Sequence, residues 1–349
     1  MRRLPVYFLI DVSESMVGEP IQNVEDGLAL IINELKKDPY ALETVYTSII
    51  VFAGKAKRIS PMIEICQNYP PKLPIGGGTS LGMAVQFLIQ DIEQNVVKTT
   101  MDCKGDWKPI VFLFTDGRPT DAYEATVQLW NSTYRNRISL IAISFGDDAD
   151  LTVLSKLTDN VLVFKNASCE DYRKFFAWVT ASIQASSKCI SETNTDQVKL
   201  APLSDDFLIK QDLPKTLNHV VDDSCAVFLA KCQSTGKPYL MKYRKNLRQS
   251  EMPNLSFEVL SYELVGAFVI DNSYFELSIE CGLANAVNTE QLAGFPSCPS
   301  CGNSYGFSLC ACGKLLCTGD SEANTCPWCG NVSNYSSDGM DRNINRTIG

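Results

Sequence analysis

A chain of 349 residues suggests two or three domains, and its 45% hydrophobic content allows a sizeable core and argues against wholesale disorder. A formal net charge of −9 argues against nucleic-acid binding driven by overall charge. One histidine, His219, excludes any mechanism that needs two imidazoles and any His-rich metal site.

Residues 6–10 form an apolar run that reads as a strand buried on both faces. The loop leaving it is Asp11-Val12-Ser13-Glu14-Ser15, which sets one carboxylate and two hydroxyls at alternate positions. Three hard oxygens so close together suit a hard cation such as Mg²⁺, although Ser and Asp also serve as plain helix caps. A helix begins near Gly18, with Ile21, Val24, Leu28, Ile31, Ile32 and Leu35 on one face and Lys36, Lys37 and Pro39 at its end. Residues 45–52 read as a strand, and the Gly54-Lys55 turn makes 58–65 its antiparallel neighbour.

Next comes a glycine-rich turn, residues 73–80, leading into a helix that carries Met83, Phe87, Leu88 and Ile92. No lysine follows the glycines, so the turn is not a P-loop, and Thr79 caps the helix or offers its hydroxyl to a ligand. Residues 110–114 read as another buried strand, with Asp116 directly after it and Asp121 capping a helix that runs to about residue 134. Then follow a strand over 138–145, a helix over 150–157, a strand over 161–164 and a helix over 169–185. The succession predicts a three-layer, Rossmann-like α/β fold with a mostly parallel sheet, whose ligands bind outside the carboxyl ends of the strands where strand order reverses.

Asp11-x-Ser13-x-Ser15, Thr79 in a Gly-Gly-Thr turn and Asp116 in Thr-Asp-Gly together resemble the von Willebrand factor type A domain, over residues 1–187. The resemblance implies a metal-ion-dependent adhesion site. Ser13, Ser15 and Thr79 would supply hydroxyl oxygens, and Asp11 and Asp116 would act largely through water or by accepting hydrogen bonds from the metal's ligands. Two carboxylates balance one Mg²⁺ (or Mn²⁺ or Ca²⁺), so the ion keeps room for an anionic oxygen from a partner. An enzyme would also need a general base near the metal, and Glu14 is the nearest candidate in sequence.

Residues 188–197 are polar and read as a linker, and 198–294 as a β-rich segment with short strands at 225–231, 239–243, 257–264, 267–270 and 274–279. In that segment His219, Cys225, Cys232 and Cys281 read more readily as an ordinary histidine and buried thiols than as ligands. Of the 14 cysteines, seven crowd into residues 298–329. No run approaches the roughly 18 to 20 apolar residues of a membrane span, and the apolar run after Met1-Arg2-Arg3 is too short for a signal peptide. The expectation is therefore a soluble, cytoplasmic chain whose cysteines are thiols or metal ligands. Cys298-Pro-Ser-Cys301-Gly and Cys326-Pro-Trp-Cys329-Gly are paired knuckles at the spacing of a four-thiolate zinc site. The favoured reading is one Zn²⁺ on Cys298, Cys301, Cys326 and Cys329, within a zinc ribbon over residues 295–331 and before a disordered tail over 332–349. A cross-braced, RING-like alternative with two zinc ions recruits Cys310, Cys312 and Cys317, with Asp320 making up the eighth ligand.

A type A domain followed by these knuckles and a Cys-x-Cys-Gly-Lys run is similar to the TerY-like proteins of bacterial tellurium-resistance and stress-response systems. That resemblance implies a non-catalytic adaptor, working with a protein kinase and a PP2C-type phosphatase, that binds an acidic or phosphorylated partner and neither nucleic acid nor membrane. The alternatives are a metal-dependent hydrolase or RING-like ubiquitin-ligase-type enzyme, and an extracellular adhesin.

Overall fold

The computed structural model describes residues 2–100, 103–116, 118–145, 151–164, 169–193, 201, 208–210, 225–249, 258–279, 286–319, 323–335 and 342–347. The chain divides into two compact units. The first comprises Met1–Val12, Glu19–Leu73 and Thr79–Val220, and the second Ser13–Gly18, Pro74–Gly78 and Val221–Gly349.

In the first unit the elements run β1 (Leu4–Asp11), α1 (Glu19–Leu35), α2 (Pro39–Thr44), β2 (Val45–Phe52), β3 (Ala56–Glu64), α3 (Leu81–Asn95) and β4 (Ile110–Thr115). They continue through α4 (Glu124–Leu129), β5 (Ser139–Phe145), α5 (Leu151–Leu157), β6 (Val161–Phe164), α6 (Cys169–Thr193) and β7 (Leu208–Lys210). One sheet has the order β3-β2-β1-β4-β5-β6-β7. Its middle five strands are parallel, and the edge strands β3 and β7 run antiparallel.

Both faces of β1 are buried because successive side chains point to opposite sides. Tyr7 and Leu9 join a core with Leu88, Ile92, Trp130 and Leu154 from the α3, α4 and α5 side. Phe8 stacks with Phe112 and Phe114, and Phe114 in turn meets Phe175 and Phe176 of α6 edge-on or tilted. The third layer closes where α1 crosses α6: a Cβ on Gly27 would lie 2.1 Å from the Phe176 ring, so only glycine fits there. The three-layer, mostly parallel α/β architecture expected from the sequence is the one observed.

Two local expectations change in this unit. The helix after Asp121 reaches Tyr134 as expected, its α-helical part ending at Leu129 and a π-helical turn covering Trp130–Tyr134. Asp121 does not cap that helix; it reaches to α3 instead. The run read as a linker from residue 188 stays helical as far as Thr193. His219, Cys281 and Asp320 lie outside the described residues.

The second unit is built on a six-stranded sheet. Its elements are β8 (Cys225–Lys231), β9 (Pro238–Gln249), β10 (Glu258–Val269), α7 (Ser273–Leu277), β11 (Ala286–Asn288), β12 (Leu292–Ala293), β13 (Tyr305–Leu309) and β14 (Leu315–Thr318). Three short strands follow: β15 (Asn324–Thr325), β16 (Val332–Ser333) and β17 (Asn343–Asn345). The sheet order is β12-β10-β9-β8-β14-β13, so the β13–β14 hairpin is not a free-standing ribbon; β14 adds in parallel to β8. The two strands expected over 257–264 and 267–270 are one strand, β10, with a register shift between Leu264 and Gly266.

The strand expected at 274–279 is instead the helix α7. Its start is tied by Asp271, whose carboxylate accepts from the Ser273 N–H at 2.8 Å, and Tyr274 and Leu277 bury one face at helical spacing. The tail also departs from the expectation of disorder. Its described part contains β17, which pairs with β11, and Arg346 donates to the Cys225 carbonyl at 2.9 Å. Ile344 and Arg346 are both buried, which explains why polar composition was a poor guide there.

Candidate functional site

From β1 the chain passes to β2 on one side, and β4 later takes the other side. The carboxyl ends of β1 and β4 are therefore at the point where strand order reverses, the usual place for a ligand in such a sheet. Register sets Ile10 beside Phe114, so Asp11 and Asp116 leave neighbouring strands close together. Asp11 is fully buried, and the Thr115 hydroxyl donates to its Oδ2 at 2.6 Å. Burial pushes the Tyr172 phenol up to about 12, and the nearby Asp116 charge adds to that rise.

Thr79 comes to the same edge. The Ser80 N–H donates to the Ala53 carbonyl at 2.7 Å, which ties the turn to the end of β2. The Thr79 N–H donates to Thr120 Oγ1 at 3.0 Å, and the Thr120 N–H donates back to the Thr79 carbonyl at 2.8 Å. Thr120 lies four residues beyond Asp116 on the loop after β4. Asp11, Thr79 and Asp116 are thus gathered at the carboxyl ends of the central strands, and the N-cap position of α3 falls to Ser80 rather than Thr79. Ser13 and Ser15 follow Asp11 around a short 3-10 turn, Glu14–Met16, and their buried hydroxyls meet at 2.8 Å.

The cap of α3 is Asp121, which accepts from the Gly82 and Met83 N–H groups at 3.2 and 3.0 Å. Burial raises its carboxyl above the usual range, and those two backbone donors partly offset the rise. Asp121→Ala should cost about 1 kcal/mol, the usual loss of a helix cap, whereas Asp121→Asn keeps an acceptor and costs less. The folded pKa is the higher one, so this group's contribution is full below the unfolded pKa and declines as pH rises through the folded value. Urea midpoints across the acidic range should therefore show wild type losing ground to Asp121→Asn as pH rises. A constant difference would contradict this account.

Eight of the nine described cysteines of the second unit form two clusters: Cys232, Cys298, Cys301 and Cys317, and Cys310, Cys312, Cys326 and Cys329. Within each, the four sulfurs all lie within 4.8 Å of one another. A tetrahedral zinc with ligands at about 2.3 Å requires sulfur–sulfur edges of about 3.8 Å. The separations Cys301–Cys317, Cys310–Cys329 and Cys312–Cys326 are 3.7, 3.8 and 3.9 Å. A disulfide would need about 2.05 Å. Two four-thiolate zinc sites therefore fit.

This corrects the one-zinc reading. The knuckles Cys298–Cys301 and Cys326–Cys329 do not share an ion, and each joins a different cluster. The eighth cysteine of the clusters is Cys232, which sequence alone reads as a plain buried thiol. A signal for it was present. Cys232-x-x-x-Gly236 repeats the spacing of Cys298-x-x-x-Gly302 and Cys326-x-x-x-Gly330, and all three glycines have positive φ, of 69°, 77° and 77°. In each turn the glycine N–H donates to the cysteine carbonyl at 2.9 Å. Burial opposes ionisation of the Cys232 thiol, but hydrogen bonds from Thr235 and its neighbours outweigh it and bring the group down to about 6.

Residues 6–178 match the von Willebrand factor type A domain family, and residues 222–349 match the TerY-C metal binding domain family. The chain joins a von Willebrand factor type A domain to a TerY-C metal binding domain. Both cysteine clusters lie within the residues that match the TerY-C domain. Among curated relatives, the type A region is similar to inter-alpha-trypsin inhibitor heavy chain H1 of Bos taurus, at 24% identity over 159 residues, 44% of this chain and 17% of the relative. It is also similar to heavy chain H6 of Homo sapiens, at 22% identity over 159 residues, 44% of this chain and 12% of the relative. The chain thus matches less than a fifth of the length of these relatives. Among solved structures, a von Willebrand factor type A protein from Catenulispora acidiphila aligns at 11% identity and TM-score 0.40, covering 79% of this chain and 68% of the other. The ArnB paralog VWA2 from Sulfolobus acidocaldarius aligns at 11% identity and TM-score 0.37, covering 78% and 66%. Among the described residues, no helix is long and apolar enough to cross a membrane.

Proposed function

We propose that this chain is a non-catalytic adaptor that docks protein partners through a divalent cation held by Asp11, Ser13, Ser15, Thr79 and Asp116. The observation that carries the reading is the pair of acids leaving adjacent strands at the strand-order reversal, with Thr79 fastened beside them. The donor set is oxygen only, and Asp11, Ser13, Ser15 and Thr79 are all buried, which suits Mg²⁺ better than a soft metal. Bound there, the ion would supply a Lewis-acidic position for a carboxylate or phosphate oxygen of a partner. The Glu14 carboxylate, the nearest candidate base, accepts a hydrogen bond from the Tyr274 hydroxyl, so it is engaged rather than poised for proton transfer.

The TerY-like resemblance suggests a cytoplasmic stress-response setting and, as partners to try first, a protein kinase and a PP2C-type phosphatase. One observation favours the RING-like alternative: the two cysteine clusters interleave along the chain. Against it, Cys232 enters from an upstream strand, and the region matches the TerY-C domain.

The test is capture of partners from the native cell with and without a chelator of divalent cations. The adaptor reading predicts partners that need Mg²⁺ and that the Ser13→Ala, Ser15→Ala double variant loses. Equal retention by that variant would overturn it.

A further inference from the structure

Both loops that frame the hydroxyl ligands belong to the second unit, Ser13–Gly18 and Pro74–Gly78, and the same few side chains of that unit hold them. The Tyr274 hydroxyl, on α7, donates to Glu14 Oε1, and Lys242 on β9 donates to the carbonyls of Ser15 and Val17. The Gly77 N–H donates to Ser278 Oγ at 2.7 Å, and Ser278 Oγ donates to the Tyr274 carbonyl at 2.6 Å. A Cβ on Gly77 would stand 3.1 Å from the Tyr274 hydroxyl oxygen, so that one phenol lies against both loops. Val17 is packed with Val227, Leu240, Ile270 and Tyr274 in a small apolar cluster, with Ile75 against it.

We propose that Tyr274 and Ser278 are positioning residues for the adhesion-site metal, setting the hydroxyls of Ser13 and Ser15 and the turn that leads to Thr79. The inference rests on the metal-site reading above. Its physical basis is local. Glu14 lies between the two serines and is fully buried, so its carboxylate must be satisfied by protein groups. Tyr274 is one of those groups and is itself 4% exposed. With the side chain of residue 14 gripped by Tyr274 and the carbonyl of residue 15 gripped by Lys242, the intervening backbone is fixed. The two hydroxyls then converge at 2.8 Å. Groups that orient metal ligands in this way typically govern metal affinity by about 10–100-fold.

Burial, reinforced by the Glu14 charge, keeps the Tyr274 phenol protonated, so the grip persists across the physiological range.

The experiment is Mn²⁺ titration, followed by electron paramagnetic resonance, of the full zinc-loaded chain. Zinc content and the unfolding midpoint are recorded for each variant, well below its unfolding temperature. Tyr274→Phe should weaken Mn²⁺ binding about tenfold or more. Glu14→Gln, whose amide oxygen still accepts from Tyr274, should bind close to wild type. Ser278→Ala releases the Gly77 N–H and should weaken binding as well, so it carries the test if Tyr274→Phe fails to fold. Wild-type affinity in folded Tyr274→Phe, or in Ser278→Ala if the first variant is unfolded, overturns the inference even where Asp11→Asn loses the ion. A wild-type chain that binds no Mn²⁺, or an Asp11→Asn chain that binds as well as wild type, overturns the metal-site reading itself and the inference with it.

Discussion

The purified chain should carry two zinc ions by elemental analysis, and Cys232→Ser should carry one. Cys232 follows β8 directly, and Cys317 lies on β14, the strand that pairs with β8. Their shared ion would therefore staple the β8–β9 turn to the knuckle of Cys298 and Cys301, inside a core that includes Phe228, Tyr239 and Leu315. Structural zinc contributes apparent free energies of about 10–16 kcal/mol in small domains. That is as large as the whole stability of a typical domain, so losing this ion should unfold the strands around it. The second cluster sits against a smaller core of Leu316, Trp328 and Tyr335, and its Cys312 and Cys329 are exposed. Cys312→Ser should also leave one zinc, but with hydrogen-exchange protection retained along β8 and β9. Asp320→Asn should keep both ions. One zinc in wild type, or two in Cys232→Ser, would contradict the cluster assignment.

The other large effect is expected at the sheet edge. Asp11→Asn preserves size and still offers an oxygen to the Thr115 hydroxyl, yet removes one of the two charges that balance the cation. Asp116→Asn, directly after β4, likewise removes the other charge. Acids that act through water or by accepting hydrogen bonds from a metal's ligands typically control affinity by about 10–100-fold each. At 1.4 kcal/mol per tenfold, each substitution should weaken the ion by roughly 1.4–3 kcal/mol. The fold should hold, because the register of β1 with β4 is set by Val6 through Ile10, not by the acids.

Much of this was legible in the residues. Apolar runs such as that of β1 announce strands buried on both faces, and their ends set Asp11 as the last residue of β1 and Asp116 directly after β4. What escaped has identifiable causes. Sequence proximity assigns Asp121 to the helix that follows it, whereas a loop acid can reach any helix start that packs against it, here α3. Residues 274–279 carry aromatic side chains that favour strands, but Tyr274 and Leu277 gain burial at helical spacing. The matched knuckles looked like one tetrahedron because chain spacing does not record strand order. Only the parallel pairing of β14 with β8 brings Cys232 to the first knuckle and leaves the second for Cys310 and Cys312.

The central claim is that a hard cation sits where β1 and β4 end and serves as the docking point. Isothermal titration of Mg²⁺ into the zinc-loaded chain, beside Asp11→Asn, tests it most directly. The account predicts saturable binding at a single site in wild type and a loss of about tenfold or more in the variant. No binding in wild type, or the same binding in both, would contradict it.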